Sequence, residues 1–165
     1  MTLTTHALVG AAVAQFFPQH PVLAFAAGFA SHFAIDALPH WDYSLRSSRK
    51  DKKNPLNFDM ELGRDFARDI ARILFDIALG LSLSALSAYL LHLSLYLALV
   101  GAAAGIFPDG LQFVYFKTRS KLLEPLQRFH IWIQEGRSLK IAAWRGISLQ
   151  AALVIGIFFV VKLAL

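Results

Sequence analysis

Apolar and polar positions segregate along this chain in long blocks, without the short alternation of a soluble fold. Residues 1–35 contain no Asp, Glu, Lys or Arg, residues 77–116 contain only Asp109, and from Gly146 to Leu165 the only charge is Lys162. A soluble helix turns one polar face to water, whereas charge-free stretches of this length are expected where lipid is the solvent. The pattern predicts a first helix from about Thr5 to Phe17, with Thr4 or Thr5 as N-cap, a break at Pro18 and Pro21, and a second helix to about Leu38, before Pro39. The first helix is short for a crossing, which takes roughly 20 residues. The pair is therefore expected as a hairpin that dips into the membrane or crosses where it is thin.

A polar loop follows from Ser44 to Asn57, carrying Arg46, Arg49, Lys50, Lys52 and Lys53. Beyond it Phe58, Leu62, Phe66, Ile70, Ile73 and Ile77 recur at helical spacing, with Arg64, Arg68 and Arg72 on another face. This predicts a third helix that starts amphipathic near Phe58 and becomes a span to about Leu91. A turn at His92–Ser94 leads into a fourth helix that returns to about Phe116 with Pro108 inside it, and Ile147 to Leu165 reads as a final span. The fold class expected is all-α: a polytopic integral membrane helical bundle with about four to five membrane helices. It forms one domain over residues 1–165, with polar cytoplasmic segments at about 44–57 and 117–145.

Composition sharpens this picture. Apolar residues make up 56% of the chain, charged residues 16%, and mean hydropathy is +0.52, which excludes an ordinary soluble domain. The absence of cysteine excludes disulfides, thiolate metal sites and thiol nucleophiles. No basic n-region or cleavage site precedes the first apolar run, so the N-terminus is read as part of the mature protein. Of the 16 basic residues, eight lie in 44–72 and seven in 117–145, at one membrane face. That asymmetry assigns the face to the cytoplasm of an inner-membrane, multi-pass protein, and it accounts for the +5 net charge through lipid, without nucleic acid as a partner.

On this topology the remaining polar residues collect in one leaflet. His6 opens the first helix; His32, Asp36, His40 and Asp42 close the second; Asp76 lies in the third, Asp109 in the fourth, and His130 follows. His20 and His92 fall at the opposite face. His32 and Asp36 are four apart and share a helix face, as a His–carboxylate grip on a divalent cation requires. Imidazole with carboxylate suits Zn²⁺ first, with Mn²⁺ or Fe²⁺ as alternatives. A carboxylate at membrane depth is costly without a partner, which a metal would supply to Asp36, Asp76 and Asp109. Asp65 and Asp69, by contrast, are read as ion-paired to Arg68 and Arg72 on the helix surface.

Thr5-His6-Ala-Leu-Val-Gly10, Ser31-His32-Phe-Ala-Ile-Asp36-Ala-Leu-Pro39-His40-Trp-Asp42-Tyr43 and Gly105-Ile-Phe-Pro108-Asp109 resemble the YdjM-like family of membrane-bound metal-dependent hydrolases. The resemblance runs from residue 5 to about residue 130 through short motifs separated by variable apolar sequence. It departs from the family pattern at the first hairpin, where Gln19-His20-Pro21 stands in place of an acidic PD-x-D/H element. The resemblance implies a metal site more firmly than a particular reaction.

The function expected is a metal-dependent hydrolase, phosphoesterase-like, acting on a lipid-linked phosphate at the cytoplasmic leaflet. His6, His32, Asp36, His40, Asp42, Asp109 and His130 are the candidate metal ligands, Asp76 the candidate general base, and Arg72, one turn before it, the candidate phosphate-binding residue. The alternatives are a small ion-coupled transporter, which needs a polar path to both faces, and a non-enzymatic membrane anchor that presents its basic loops. No Gly-x-Ser-x-Gly elbow, P-loop or His-Glu-x-x-His is present.

Overall fold

A computed structural model describes residues 1–49, 51 and 53–165; Lys50 and Lys52 of the basic loop lie outside the described residues. Six α-helices are found among the described residues: α1 (Leu3–Ala14), α2 (Pro21–Asp36), α3 (Arg64–Leu90), α4 (Leu95–Thr118), α5 (Glu124–Gln134) and α6 (Ala143–Ala164). Three of them, α3, α4 and α6, are long and apolar enough to cross a membrane, while α1 and α2 are apolar but shorter.

The centre of the molecule is α1. Ten of its 12 residues are buried, and it packs against α2, α3, α4 and α6. A helix that is apolar all round belongs in an interior, and α1 is such a helix, built from small residues that let its neighbours come close. Gly10 of α1 meets Gly101 of α4, and Gly105 of α4 meets the backbone of His6; a Cβ at any of the three would collide with main chain. Gly101 and Gly105 form a Gly-x-x-x-Gly step of the kind that brings membrane helices into backbone contact. Ala7 and Ala11 continue the contact with Ala88, Ala98 and Ala102 of α3 and α4. On the other side Leu8 and Ala12 pack on Phe158 and Val161 of α6.

The helix ends differ in detail from the sequence expectation. Helix α1 starts earlier, with Thr2 as N-cap accepting from the Thr5 N–H at 3.3 Å. The third helix does not begin at Phe58. Asn54 and Pro55 open a 3-10 turn (Pro55–Asn57), β1 (Ser48–Arg49) pairs antiparallel with β2 (Asp59–Met60), and Gly63 precedes the first turn of α3. Tertiary contacts hold this ribbon: Lys117 Nζ donates to Asp59 Oδ1 at 2.8 Å and to the Met60 carbonyl, and Arg119 donates to the Leu56 carbonyl. Asp69 is buried and accepts from the Ser47 N–H and hydroxyl at 2.7 and 2.8 Å, so it is not the surface partner of Arg72. Arg68 and Asp65 do pair, at 3.5 Å.

The segment after α4, basic in sequence, contains α5. Gln127 and His130 are its buried residues, while Leu122 just before it and Phe129 and Trp132 on it are exposed. A backbone bridge fixes the chain beyond α2 against the chain beyond α5: the His40 N–H donates to the Arg137 carbonyl at 2.9 Å and the Leu139 N–H to the His40 carbonyl at 2.7 Å.

Candidate metal centre

Five segments deliver polar side chains to one buried point. Asp36, at the last turn of α2, is fully buried and lies at the middle. Its Oδ1 is 3.2 Å from His6 Nε2 and 3.8 Å from His40 Nε2. Its Oδ2 is 3.4 Å from the Nε2 atoms of both His32 and His130. Asp109 of α4 approaches from the other side, its Oδ1 3.8 Å from His32 Nε2 and 3.6 Å from His130 Nε2. His32 and His130 face each other with their Nε2 atoms 3.1 Å apart.

The hydrogen bonds behind these rings define which atoms face inward. His32 Nδ1 is 2.8 Å from the Gly105 carbonyl, which can only accept, so Nδ1 carries a proton. A neutral His32 ring therefore points a lone pair from Nε2 at the cluster. His40 is arranged the same way, with Nδ1 donating to the Leu38 carbonyl at 2.8 Å. Burial, and then the Met1 ammonium, lower the His40 pKa from its ordinary value, which keeps this ring neutral at pH 7. Fixing the tautomer through the second ring nitrogen is the usual preparation of a histidine for a metal. His6 stacks on His32 with ring centroids 3.9 Å apart; its Nε2 faces Asp36 at 3.2 Å, and its Nδ1 is buried without a hydrogen-bond partner. Buried polar atoms are nearly always satisfied, so this nitrogen is an exception that needs a cause.

The cage is thus rich in acceptors and poor in donors. Among the described residues, the Met1 ammonium touches Asp36, 3.0 Å from Oδ1. The Gln134 amide donates to Asp36 Oδ2 at 2.7 Å and lies 3.0 Å from His130 Nε2. Two sets of residues offer one ligand atom each, all within 4.8 Å of one another: His32, Asp36 and His130, and His6, His32 and Asp109. Imidazole nitrogens with carboxylate oxygens fit a divalent cation such as Zn²⁺, Mn²⁺ or Fe²⁺.

Of the candidates read from the sequence, His6, His32, Asp36, His40, Asp109 and His130 come together here. Asp42 lies beside them, its Oδ2 3.9 Å from the Met1 ammonium and its Oδ1 accepting from the Tyr43 N–H. The Asp42 side chain is 45% exposed. Asp76 has other partners. It accepts from the Leu3 and Thr4 N–H groups at 2.8 and 3.1 Å, from the Thr4 hydroxyl at 2.6 Å and from the Tyr43 hydroxyl at 3.1 Å. Four donors occupy both of its oxygens, and it seats the first turn of α1. Arg72 is exposed; its Nη1 donates to the Ser44 carbonyl at 3.3 Å and its guanidinium stands 5.8 Å from the Tyr43 ring. His20 and His92 stand apart from the ligand groups.

Sequence reasoning missed Gln134 and Gln112. Gln112 reaches His130 Nδ1 at 3.5 Å. The spacing from His130 to Gln134, four residues on one helix face, was the available signal, hidden because the segment reads as a basic loop.

A cavity of about 1140 Å³ opens beside the cage, lined at its polar end by His40, Asp42, Asp109 and Gln134. Comparison with known protein families, with characterised proteins and with solved structures finds no match for this chain.

Proposed function

We propose that this protein is a membrane-bound metal-dependent hydrolase, a phosphoesterase that acts on a lipid-linked phosphate at the cytoplasmic leaflet. The observation that carries the reading is the inward convergence of His32 Nε2, His130 Nε2, Asp36 and Asp109, with the Nδ1–H of His32 tied back to the Gly105 carbonyl. The YdjM-like motifs of the sequence supply His32, Asp36 and Asp109 of this set, with His130 outside them, and the reading of Zn²⁺ as the cation rests on this donor chemistry.

His32, Asp36, His130 and Asp109 would hold the cation, with His6 and His40 completing the set. A divalent cation bound there supplies a Lewis acid that polarises a phosphoryl oxygen and lowers the pKa of water. Asp36, fully buried, serves as the charge at the centre of the ligand set. Asp42 lines the cavity and takes the role of general base, because the four donors on Asp76 leave that carboxylate no free position. Gln134 orients Asp36 through its amide. Arg72 is not among the lining residues and its guanidinium is held at Ser44, so the phosphate charge is balanced by the cation.

In the bilayer, α3, α4 and α6 cross, α1 is enclosed among them and α2 packs beside it with one face exposed, giving five apolar helices of an inner-membrane protein. The basic segments at 44–72 and 117–145 flank the cage end of this bundle, which makes that end cytoplasmic by the positive-inside rule.

The test is the metal content of protein purified in detergent, wild type beside the His32→Ala/Asp36→Ala double variant, followed by phosphate release from phosphatidate and polyprenyl phosphate. Near-stoichiometric metal in the wild type, lost in the variant, with release that depends on it, is the expected result. No metal in either protein after incubation with Zn²⁺ or Mn²⁺ would reject the hydrolase.

A further inference from the structure

The cavity that opens on the metal cage has a second wall of opposite character. Helix α4 presents Ile106, Asp109, Gly110 and Phe113 to it, at spacings of three and four residues, so one helical stripe runs from apolar to acidic to apolar. Helix α3 faces this stripe with Ile70, Ile73, Leu74 and Ile77, again one face of a helix. From Ile70 to Ile77 that apolar wall rises about 10 Å at 1.5 Å per residue. Further from the cage Leu81 and Ile106 pack on the alanine cluster shared by α1, α3 and α4, and at the opposite end Phe66 stacks toward Phe113 with centroids 6.3 Å apart. Between those two closures both helices line the cavity.

The wall is continuous with the surface that faces hydrocarbon. Leu74 lines the cavity and is 58% exposed, and its neighbour Phe75 is 69% exposed on the same membrane-spanning helix. No Lys or Arg lines the cavity among the described residues. At about 1140 Å³ it exceeds the roughly 300–1,000 Å³ usual for small-molecule sites. A soluble phosphate ester would leave this apolar wall unused. A molecule with a polar head and a hydrocarbon tail uses both ends.

We infer that the gap between α3 and α4 is a lateral groove that holds one hydrocarbon chain of a membrane lipid, entering beside Leu74 and bringing the lipid phosphate to Asp109 and His40. The headgroup end rests on the metal-dependent reading given above; the chain end rests on the apolar stripes alone. Gly110 offers a clean way to block the groove. It lines the cavity, its Cβ position meets no atom within 4 Å, and leucine is a better helix former than glycine. Gly110→Leu therefore fills the groove and leaves the helix contacts in place.

The probe is phosphatidic acid with a photoreactive diazirine midway along one acyl chain, incorporated into nanodiscs with the full-length protein. After illumination, labelled residues are mapped by mass spectrometry, with Ile155 of α6, 68% exposed, as the control for ordinary lipid contact. Labelling concentrated on Ile73, Ile77, Ile106 and Phe113, at least about tenfold above Ile155 and lost in Gly110→Leu with unchanged metal content, is the expected result; tenfold corresponds to about 1.4 kcal/mol of preference. Labelling spread evenly over α3, α4 and α6, or unaffected by Gly110→Leu, would overturn the groove. Metal content is measured on the same samples, so stripe labelling in protein that binds no metal supports the groove while rejecting the hydrolase.

Discussion

His32 and His130 point their Nε2 atoms at each other across 3.1 Å, although they are held on helices α2 and α5, 98 residues apart in the chain. With Nδ1 of His32 committed to the Gly105 carbonyl, a neutral ring has only a lone pair to offer at that contact. Two carboxylates, Asp36 and Asp109, complete a set of acceptors that a cation would reconcile. Removing either histidine leaves the other without its opposite ligand. His130→Ala is expected to lower metal affinity at least as far as the 10–100-fold, roughly, that follows loss of a residue merely orienting a ligand. His92→Ala is expected to bind as the wild type does. Equilibrium dialysis with Zn²⁺ compares the two.

Gln134 tests the support around the cage. Its amide donates to Asp36 Oδ2 at 2.7 Å, so Gln134→Ala frees that carboxylate to turn. The expected loss of metal affinity is roughly 10–100-fold, with an unchanged unfolding temperature in the metal-free protein. An equal loss of stability without metal would make Gln134 a packing residue.

Asp76 is expected to behave as a structural residue. Asp76→Ala strips partners from the Leu3 and Thr4 N–H groups at the start of a buried helix. A cost of about 1–3 kcal/mol in thermal or denaturant unfolding follows from leaving such donors unsatisfied. Folded Asp76→Ala protein retains its metal stoichiometry. Loss of hydrolysis with unaltered stability would return Asp76 to the catalytic machinery.

The close approach of α1 and α4 sets a contrast between two glycines in one helix. At Gly105 a side chain collides with the His6 backbone, whereas at Gly110 it meets open space. Gly105→Leu is expected to destabilise by at least about 1–3 kcal/mol through overpacking, and Gly110→Leu to leave the unfolding temperature within experimental error. Yield of monodisperse protein in detergent and thermal unfolding measure both.

Removal of the metal should be visible in stability. A ligand at about 100 times its dissociation constant stabilises the folded state by about 2.7 kcal/mol. Chelation is therefore expected to lower the unfolding temperature, and Zn²⁺ to restore it, in the wild type and not in the Asp36→Ala protein.

Much of this arrangement is legible in the sequence because lipid punishes charge. Blocks almost without Asp, Glu, Lys or Arg mark α1 and α2, the second half of α3, most of α4, and α6, and the few polar residues left inside them draw attention to themselves. His32 and Asp36 announce their shared face by their spacing. The role of Asp76 is not legible, because what a carboxylate accepts from a helix start 72 residues away is decided by packing and leaves no periodic trace. Arg72, one turn before Asp76, shares Tyr43 with it, but its guanidinium is exposed and donates to the Ser44 carbonyl. Helix α5 was concealed by its neighbours: seven basic residues in 117–145 read as a loop, although only Arg128 of them lies in the helix, while His130 and Gln134 reach Asp36. The stripe from Phe58 to Ile77 is legible as an apolar face, but not that part of it lines a cavity.

Helix α1 has 12 residues and rises about 18 Å, against a hydrocarbon core of about 30 Å. Alone in lipid it would leave its ends unsatisfied or thin the bilayer around it. It becomes tolerable inside a sleeve of α2, α3, α4 and α6, all of which it touches. His6 travels with it. The centre is therefore a property of the assembled bundle, since α1, α2, α4 and α5 each bring a part of it and none holds it alone.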